Sequence, residues 1–138
     1  MFLVDTNVWM ERLLDQERSE EVGRFLDTVP SDALFITDFA LHSICLVMCR
    51  LGQQDGLLRF IQDVFERGAV SLVHLGAEDI SRVVERMSRL GLDFDDAYQY
   101  VAAEKYGLTL ISFDADFDRT PRGRRTPSQI WEENRRER

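Results

Sequence analysis

Short apolar runs alternate with longer stretches of helical pattern along the chain. Four runs have the length and composition of buried strands: residues 2–4, 33–36, 69–75 and 108–112. Between them, apolar residues recur at helical spacing in six stretches: 7–14, 18–28, 38–52, 55–67, 78–90 and 95–105. Strands that alternate with helices predict an α/β domain with a mainly parallel sheet.

The third helical stretch and the end of the chain differ from the rest. Residues 38–52 are apolar on nearly all sides, with Thr37 as a candidate N-cap and Gly52 as the end, so we expect this helix to lie deep in the fold. From about residue 119 the chain is polar and irregular, and 128–138 has the composition of a charged tail. Because no repeat or linker interrupts the pattern, we expect one domain over 1–138.

Composition narrows the classes of protein that fit. The chain is 44% apolar and 30% charged, as in globular proteins. No apolar run approaches the roughly 20 residues that cross a bilayer, and the N-terminus lacks the pattern of a signal peptide. We therefore expect a cytoplasmic protein with no membrane partner. The net charge of −8 argues against a nucleic-acid coat protein, but not against an enzyme that reaches nucleic acid through metal ions.

Several carboxylates occupy positions that a shared site requires. Asp5 directly follows the first strand, and Asp114 comes soon after the last. Asp95 and Asp96 open a helix. Because functional groups collect beyond the carboxyl ends of parallel strands, these acids are expected to converge. A buried, unpaired carboxylate is costly, and a divalent cation such as Mg²⁺ removes that cost.

Simpler explanations compete at some of these acids. Asp95 or Asp96 can cap the helix that they open. Asp116 can be a turn residue, and Asp118 a solvated surface charge. The arginine cluster that follows is either a solvated loop or a surface that holds RNA phosphates beside the acids: Arg119, Arg122, Arg124 and Arg125.

Three segments in a fixed order carry a family resemblance: "LVDTNVW", "LDFDDAYQYVAAEKYGLTLISFDADFDR" and "RRTPSQI". With them, the chain resembles a PIN-domain ribonuclease, particularly the VapC-type toxins of prokaryotic toxin–antitoxin pairs. The resemblance implies a three-layer α/β/α domain with a central sheet of four to five strands. It also implies an endoribonuclease that uses Mg²⁺ or Mn²⁺ and metal-activated water to cleave RNA. A cognate antitoxin, whose C-terminal segment occupies a groove, and a homodimer are its implied partners.

The resemblance also implies roles for individual residues. Asp5, Asp96 and Asp114 match the metal-binding catalytic acids, and Asp116 matches an auxiliary catalytic acid. Three small polar residues match accessory positions of the site: Thr6, Ser112, and Asn7 as a hydrogen-bond donor to a carboxylate.

One position departs from the family pattern. His42 stands where a Glu is usual in the helix after the second strand. His42 could bind Mn²⁺ or Zn²⁺, Asp38 one turn earlier could supply the missing charge, or the site could be weakened. The last case defines an alternative function, a PIN-like binding module. His42 could also be a hydrogen-bonded core residue, and a zinc site with Cys45 and Cys49 is disfavoured because loop-borne ligand pairs are absent.

A phosphatase of the haloacid-dehalogenase type is a further alternative, because "FLVDTN" ends a strand with an acid. That chemistry requires a second Asp two residues after the first. Asn7 stands at that position, so the sequence disfavours a phosphatase.

Overall fold

A four-stranded parallel sheet forms the centre of the protein. The computed structural model describes residues 1–137. The strands are β1 (Phe2–Val4), β2 (Leu34–Thr37), β3 (Ser71–Val73) and β4 (Thr109–Ile111). They pair in the order β3-β2-β1-β4, and the register places Leu3 opposite Phe35 on one side and Leu110 on the other. Because every pair is parallel, the carboxyl ends of all four strands share one edge of the sheet.

Helices connect the strands. The α-helices in the described part of the chain are α1 (Thr6–Leu13), α2 (Ser19–Thr28), α3 (Asp38–Arg50), α4 (Gln54–Ile61), α5 (Ile80–Leu90), α6 (Phe94–Tyr106) and α7 (Pro127–Arg136). A π-helical turn extends α4, and a 3₁₀ turn precedes α5. The predicted α/β fold with a mainly parallel sheet is confirmed. Within residues 1–137, no helix combines the length and the apolar character needed to cross a membrane.

Apolar residues pack against both faces of the sheet. On β1, Val4 belongs to one core cluster, which holds Trp9 of α1 and Phe25 of α2. Leu3 points the other way, into a second cluster that contains Val83 of α5 and Val101 of α6. This alternation is the two-residue period of a strand that is buried on both sides. It produces the three-layer arrangement that the sequence predicted.

Helix α3 is less buried than its composition predicts. Ala40, Ile44 and Met48 lie four residues apart and are buried, whereas Leu46 is 41% exposed and Cys49 is also exposed. The expectation that this helix lies deep was wrong, because only one stripe of it meets the sheet. Apolar composition alone cannot show which face of a helix is covered.

The end of the chain is ordered, in contrast to the irregular tail that its polarity suggests. Helix α7 begins with a capping box in which Thr126 and Gln129 bond each other's backbone, and Pro127 occupies the first turn. Ile130 is buried, and the helix packs along α2. The capping signals were present in "TPSQI", but a single turn of apolar residues was too short to reveal the helix. Residue 138 of the predicted tail lies outside the described residues.

Candidate functional site

Asp5 lies between β1 and α1 and is held by three hydrogen bonds. Its Oδ1 accepts from the backbone N–H of Thr6 at 2.8 Å and from Nε2 of Gln99 at 2.9 Å. Its Oδ2 accepts from the hydroxyl of Ser112 at 2.8 Å. The carboxylate is 6% exposed, and burial raises its pKa, although the hydrogen bonds oppose that shift. Asp5 is therefore a fixed, largely desolvated acid at the carboxyl edge of the sheet.

Three further carboxylates gather beside this position. Asp96 lies in the first turn of α6, and Asp114 follows β4 and accepts a hydrogen bond from the backbone N–H of Asp116 at 2.9 Å. Oxygens of Asp96, Asp114 and Asp116 all lie within 4.8 Å of one another. Such a spacing is suited to one divalent cation, since hard ions take oxygen ligands at short range.

The charges of these acids repel one another. Burial raises the pKa of Asp96 to about 8, and a hydrogen bond to Asp114 and the nearby charges of Asp114, Asp93 and Asp5 add to the effect. The charge of Asp114 also raises the pKa of Asp5. The raised pKa of Asp96 means that gathering these charges is unfavourable unless a proton or a cation offsets them. The set of acids thus fits a divalent cation on its charge as well as on its spacing.

Asp5 and Asp96 line an open cavity of about 300 Å³, here called the acidic cavity. Its wall comes from the starts of α1, α3 and α6, so backbone from three helices surrounds it. The lining residues are Asp5, Thr6, Asn7, Phe39, Ser43, Asp95, Asp96 and Gln99.

Gln99 is a supporting residue that the sequence did not single out. It is 1% exposed, and its Nε2 donates to Asp5 while its Oε1 accepts from the hydroxyl of Thr37 at 2.7 Å. The available signal was a polar residue three positions after Asp96, on the inward face of α6. Gln99 therefore links Thr37, at the end of β2, to Asp5, which directly follows β1.

We predict that Gln99→Leu destabilises the fold. Leu has a similar volume, but it removes one of the three donors to the buried Asp5 and leaves the Thr37 hydroxyl without its acceptor. The expected loss in the free energy of unfolding is ~1–3 kcal/mol, measured by urea denaturation in the absence of metal. Gln54→Leu, at the exposed start of α4, is the matched control and is expected to change stability little. Equal stability of the two variants would contradict this role.

Asn7 supports the site through neutral partners instead of the predicted carboxylate. Its Nδ2 donates to Ser112 Oγ at 3.4 Å, and its Oδ1 accepts from the backbone N–H of Phe113 at 3.2 Å. Ser112 in turn donates to Asp5. Asn7 therefore positions the Ser112 hydroxyl, which bonds Asp5, and does not contact Asp5 through its own side-chain hydrogen bonds.

The structure does not bring His42 or Asp38 to the acidic cavity. His42 is exposed on α3, and Asp38 accepts from the Tyr98 hydroxyl at 2.7 Å. Phe39 and Ser43, four residues apart, are the α3 residues that face the cavity. Because Thr37 caps α3 and sets its phase, position 42 is turned away. Within residues 1–137 the acid cluster is the single three-ligand group, so His42 and the cysteines form none.

The arginine cluster is engaged within the chain. Arg122 and Arg124 donate to backbone carbonyl oxygens, and Arg125 pairs with a glutamate of α7. Arg119 joins Asp116 at 3.0 Å and stays half-exposed, so it borders the acids. These bonds fix the loop between β4 and α7. A contact of these arginines with RNA stays a prediction.

The fold and the site define an α/β domain with clustered acids at the carboxyl edge of a parallel sheet. The model of the PIN domain family matches residues 2–123. The chain therefore belongs to the PIN domain family, as the sequence resemblance predicted. No curated protein matches the sequence.

Solved structures share the fold. A toxin–antitoxin complex from Klebsiella pneumoniae contains a chain 21% identical, with a TM-score of 0.74 over 92% of this chain and 98% of that one. VapC20 of Mycobacterium tuberculosis, a toxin that cleaves the sarcin–ricin loop, is 18% identical, with a TM-score of 0.74 over 88% and 95%. FitAcB of Neisseria gonorrhoeae is 20% identical, with a TM-score of 0.71 over 92% and 98%. At these identities the likeness shows the fold alone.

Proposed function

We propose that this protein is a metal-dependent endoribonuclease of the VapC type. The observation that carries the proposal is the convergence of Asp96, Asp114 and Asp116, whose oxygens lie within 4.8 Å, beside the buried Asp5. The acids come from three segments, around residues 5, 96 and 114–116, and packing alone does not favour bringing like charges together. The toxin neighbours support the choice of RNA as substrate.

Asp5, Asp96 and Asp114 would hold the ion, Mg²⁺ or Mn²⁺, with Asp116 as an auxiliary acid. Once bound, such an ion supplies positive charge to phosphate oxygens and lowers the pKa of a water molecule. The chain itself fixes the acids. Ser112 and Gln99 hold Asp5 in one orientation, and Asp96, whose pKa is raised, would have to be deprotonated to serve as a ligand.

One arginine lies directly against the acids. Arg119 bonds Asp116 at 3.0 Å and is half-exposed, so it could contact an RNA phosphate beside the cleaved bond. Contacts of Arg122, Arg124 and Arg125 with RNA are kept as part of the proposal, although these side chains are held in the loop.

Cleavage of a structured RNA by the purified protein tests the proposal. Products are expected with Mn²⁺ or Mg²⁺ and none with EDTA, because the acids alone offer only negative charge to a phosphodiester. Absence of cleavage with every divalent ion would refute the nuclease.

A second candidate is a PIN-like binding module with weakened catalysis. The observation in its favour is that α3 contributes Phe39 and Ser43 to the acidic cavity, and no carboxylate from this helix lines it. A rise in Tm with Mn²⁺, without cleavage of RNA, would favour the module.

A groove on another side of the protein offers a site for the cognate antitoxin. Two adjoining cavities of about 380 and 400 Å³ share five lining residues: Trp9, Arg12, Leu26, Asp63 and Val64. The indole N–H of Trp9 is buried and has no acceptor within the described residues. An unpaired buried donor is costly, and an apolar segment that brings one acceptor would satisfy it. We assign this groove to the antitoxin segment.

Reversing a charge at the groove is expected to weaken the binding of the antitoxin. Arg59 lines the groove and is exposed, so Arg59→Glu should raise the Kd for the cognate antitoxin by roughly tenfold while RNA cleavage stays unchanged. Calorimetric titration measures the Kd. Arg82→Glu, at an exposed arginine of α5 in the opposite layer, is the matched control. If both substitutions raise the Kd for the antitoxin equally, the antitoxin does not bind in this groove.

The cytoplasmic location and the homodimer also belong to this proposal. Leu46 and Leu51 at the end of α3 are 41% and 55% exposed, and a second copy would cover them. Sedimentation velocity measures the assembly in solution, and a monomer at all concentrations would exclude the dimer.

A further inference from the structure

Arg119 joins an acid of the cluster to the end of α5. It is the last residue of a 3₁₀ turn that follows β4, and its Nη1 donates to Oδ1 of Asp116 at 3.0 Å. Its Nη2 donates to the carbonyl oxygen of Gly91 at 2.6 Å, and its Nε donates to that of Leu90 at 3.3 Å. Nitrogens of one planar guanidinium thus hold the carboxylate of Asp116 and the end of a helix together.

The end of α5 is fixed by the same side chain. Gly91 has a φ of +65°, the left-handed conformation in which many helices end and which glycine adopts without strain. The last carbonyl groups of a helix have no partner inside the helix, and they form the negative end of its dipole. A cation that donates to them is therefore stabilising. Because Arg119 meets both needs, the loop after α5 begins at a fixed point.

This loop leads directly to a second acid of the cluster. Only the three residues 91–93 separate α5 from α6. The middle one, Leu92, is 4% exposed and packs in the core. The last one, Asp93, caps α6 and accepts from the backbone N–H of Asp96 at 2.9 Å. Arg119 therefore holds the start of a short, anchored path that ends at Asp96.

We infer that Arg119 is a positioning residue of the metal site, which sets Asp116 against Asp96 before an ion enters. The inference rests on the proposed nuclease function and adds a residue that acts through an acid and not on the ion. Oxygens of the two acids lie within 4.8 Å of each other, although carboxylates repel and Asp116 is exposed. Without the bond from Arg119, this repulsion is expected to turn Asp116 towards the solvent.

Two substitutions separate positioning from charge, and Arg119 is half-exposed, so both leave the core intact. Arg119→Gln removes a cation beside the acids, so a role of charge alone predicts tighter binding of Mn²⁺. Positioning predicts the opposite, a rise in the Kd for Mn²⁺ by roughly tenfold, the scale for residues that orient a ligand of a metal ion. Arg119→Lys keeps the charge but lacks the planar fork that bonds Asp116 and two carbonyl groups, so it should raise the Kd as well.

Electron paramagnetic resonance of free Mn²⁺ measures this Kd without RNA, and circular dichroism shows that each variant folds. Arg82→Gln, at an exposed arginine of α5, is the control for the loss of one positive charge. In RNA cleavage, excess Mn²⁺ should restore kcat to both variants of Arg119, because all the acids remain.

Binding of Mn²⁺ by either variant as tight as that of the wild type overturns the positioning role. If the wild type cleaves RNA in that case, the proposed nuclease still stands. A wild type that binds no Mn²⁺ refutes the metal site of the proposed function, and the inference with it.

Discussion

Asp96→Asn is expected to lower Mn²⁺-dependent RNA cleavage by a factor on the order of 10²–10³, the scale seen when one group that stabilises transition-state charge is removed. Asn keeps the shape of the side chain and removes its charge. The cluster then loses the acid that interacts with both Asp114 and Asp5. Asp5→Asn and Asp114→Asn should have effects of the same order, and the three together should not be additive.

Initial rates on a labelled RNA measure this effect, with circular dichroism to show that each variant folds. Asp55→Asn, in the first turn of α4 and outside the acid cluster, is the matched control and should retain wild-type rates. Activity at wild-type level in all three variants would contradict the assignment of these acids.

Without metal, the acid cluster is expected to make the protein less stable as the pH rises. The pKa of Asp96 in the fold is about 8, whereas an unfolded Asp titrates near its ordinary value of ~4. The folded state therefore holds a proton that the unfolded state releases. The stability that this proton contributes is complete below pH ~4 and is lost as the pH rises towards 8. In the proposed nuclease Mn²⁺ would take the place of this proton, so the rise in Tm caused by Mn²⁺ should increase over the same range.

Thermal unfolding at pH 5.5, 7 and 8.5, with EDTA or with Mn²⁺, checks this coupling. In EDTA, Asp96→Asn should unfold at a higher temperature than the wild type at pH 8.5 and differ less at pH 5.5, because it removes the repelled charge. It should also reduce the response to Mn²⁺. If the Tm of the wild type and that of Asp96→Asn change with pH in the same way, the protonation of Asp96 does not affect stability as proposed.

The fold and the acids could be predicted from sequence for related physical reasons. Short apolar runs mark buried strands, and an acid placed directly after such a run must lie at the edge of the sheet, as Asp5 does. What the sequence could not supply was the rotation of each helix. His42 and Ser43 are neighbours in the chain, yet a step of about 100° on α3 turns one to the solvent and the other to the cavity.

Contacts between residues that are far apart in the sequence could not be predicted either. Gln99 and Asp5 are far apart in sequence, and only packing shows that the amide of one reaches the carboxylate of the other. The 39% exposure of Phe94 was also hidden, because aromatic residues at helical spacing are usually core residues. Contacts between elements and the exposed side of each element decide the site, and both depend on tertiary structure.

The order of the segments along the chain has a consequence during translation. The residues that line the groove assigned to the antitoxin all fall between Trp9 and Val70, whereas Asp96 and Asp114 come later. A ribosome therefore makes every residue of this groove before it makes Asp96 and Asp114. Under the proposed function, an antitoxin that docks there would find its contact residues synthesised before the acid site is complete.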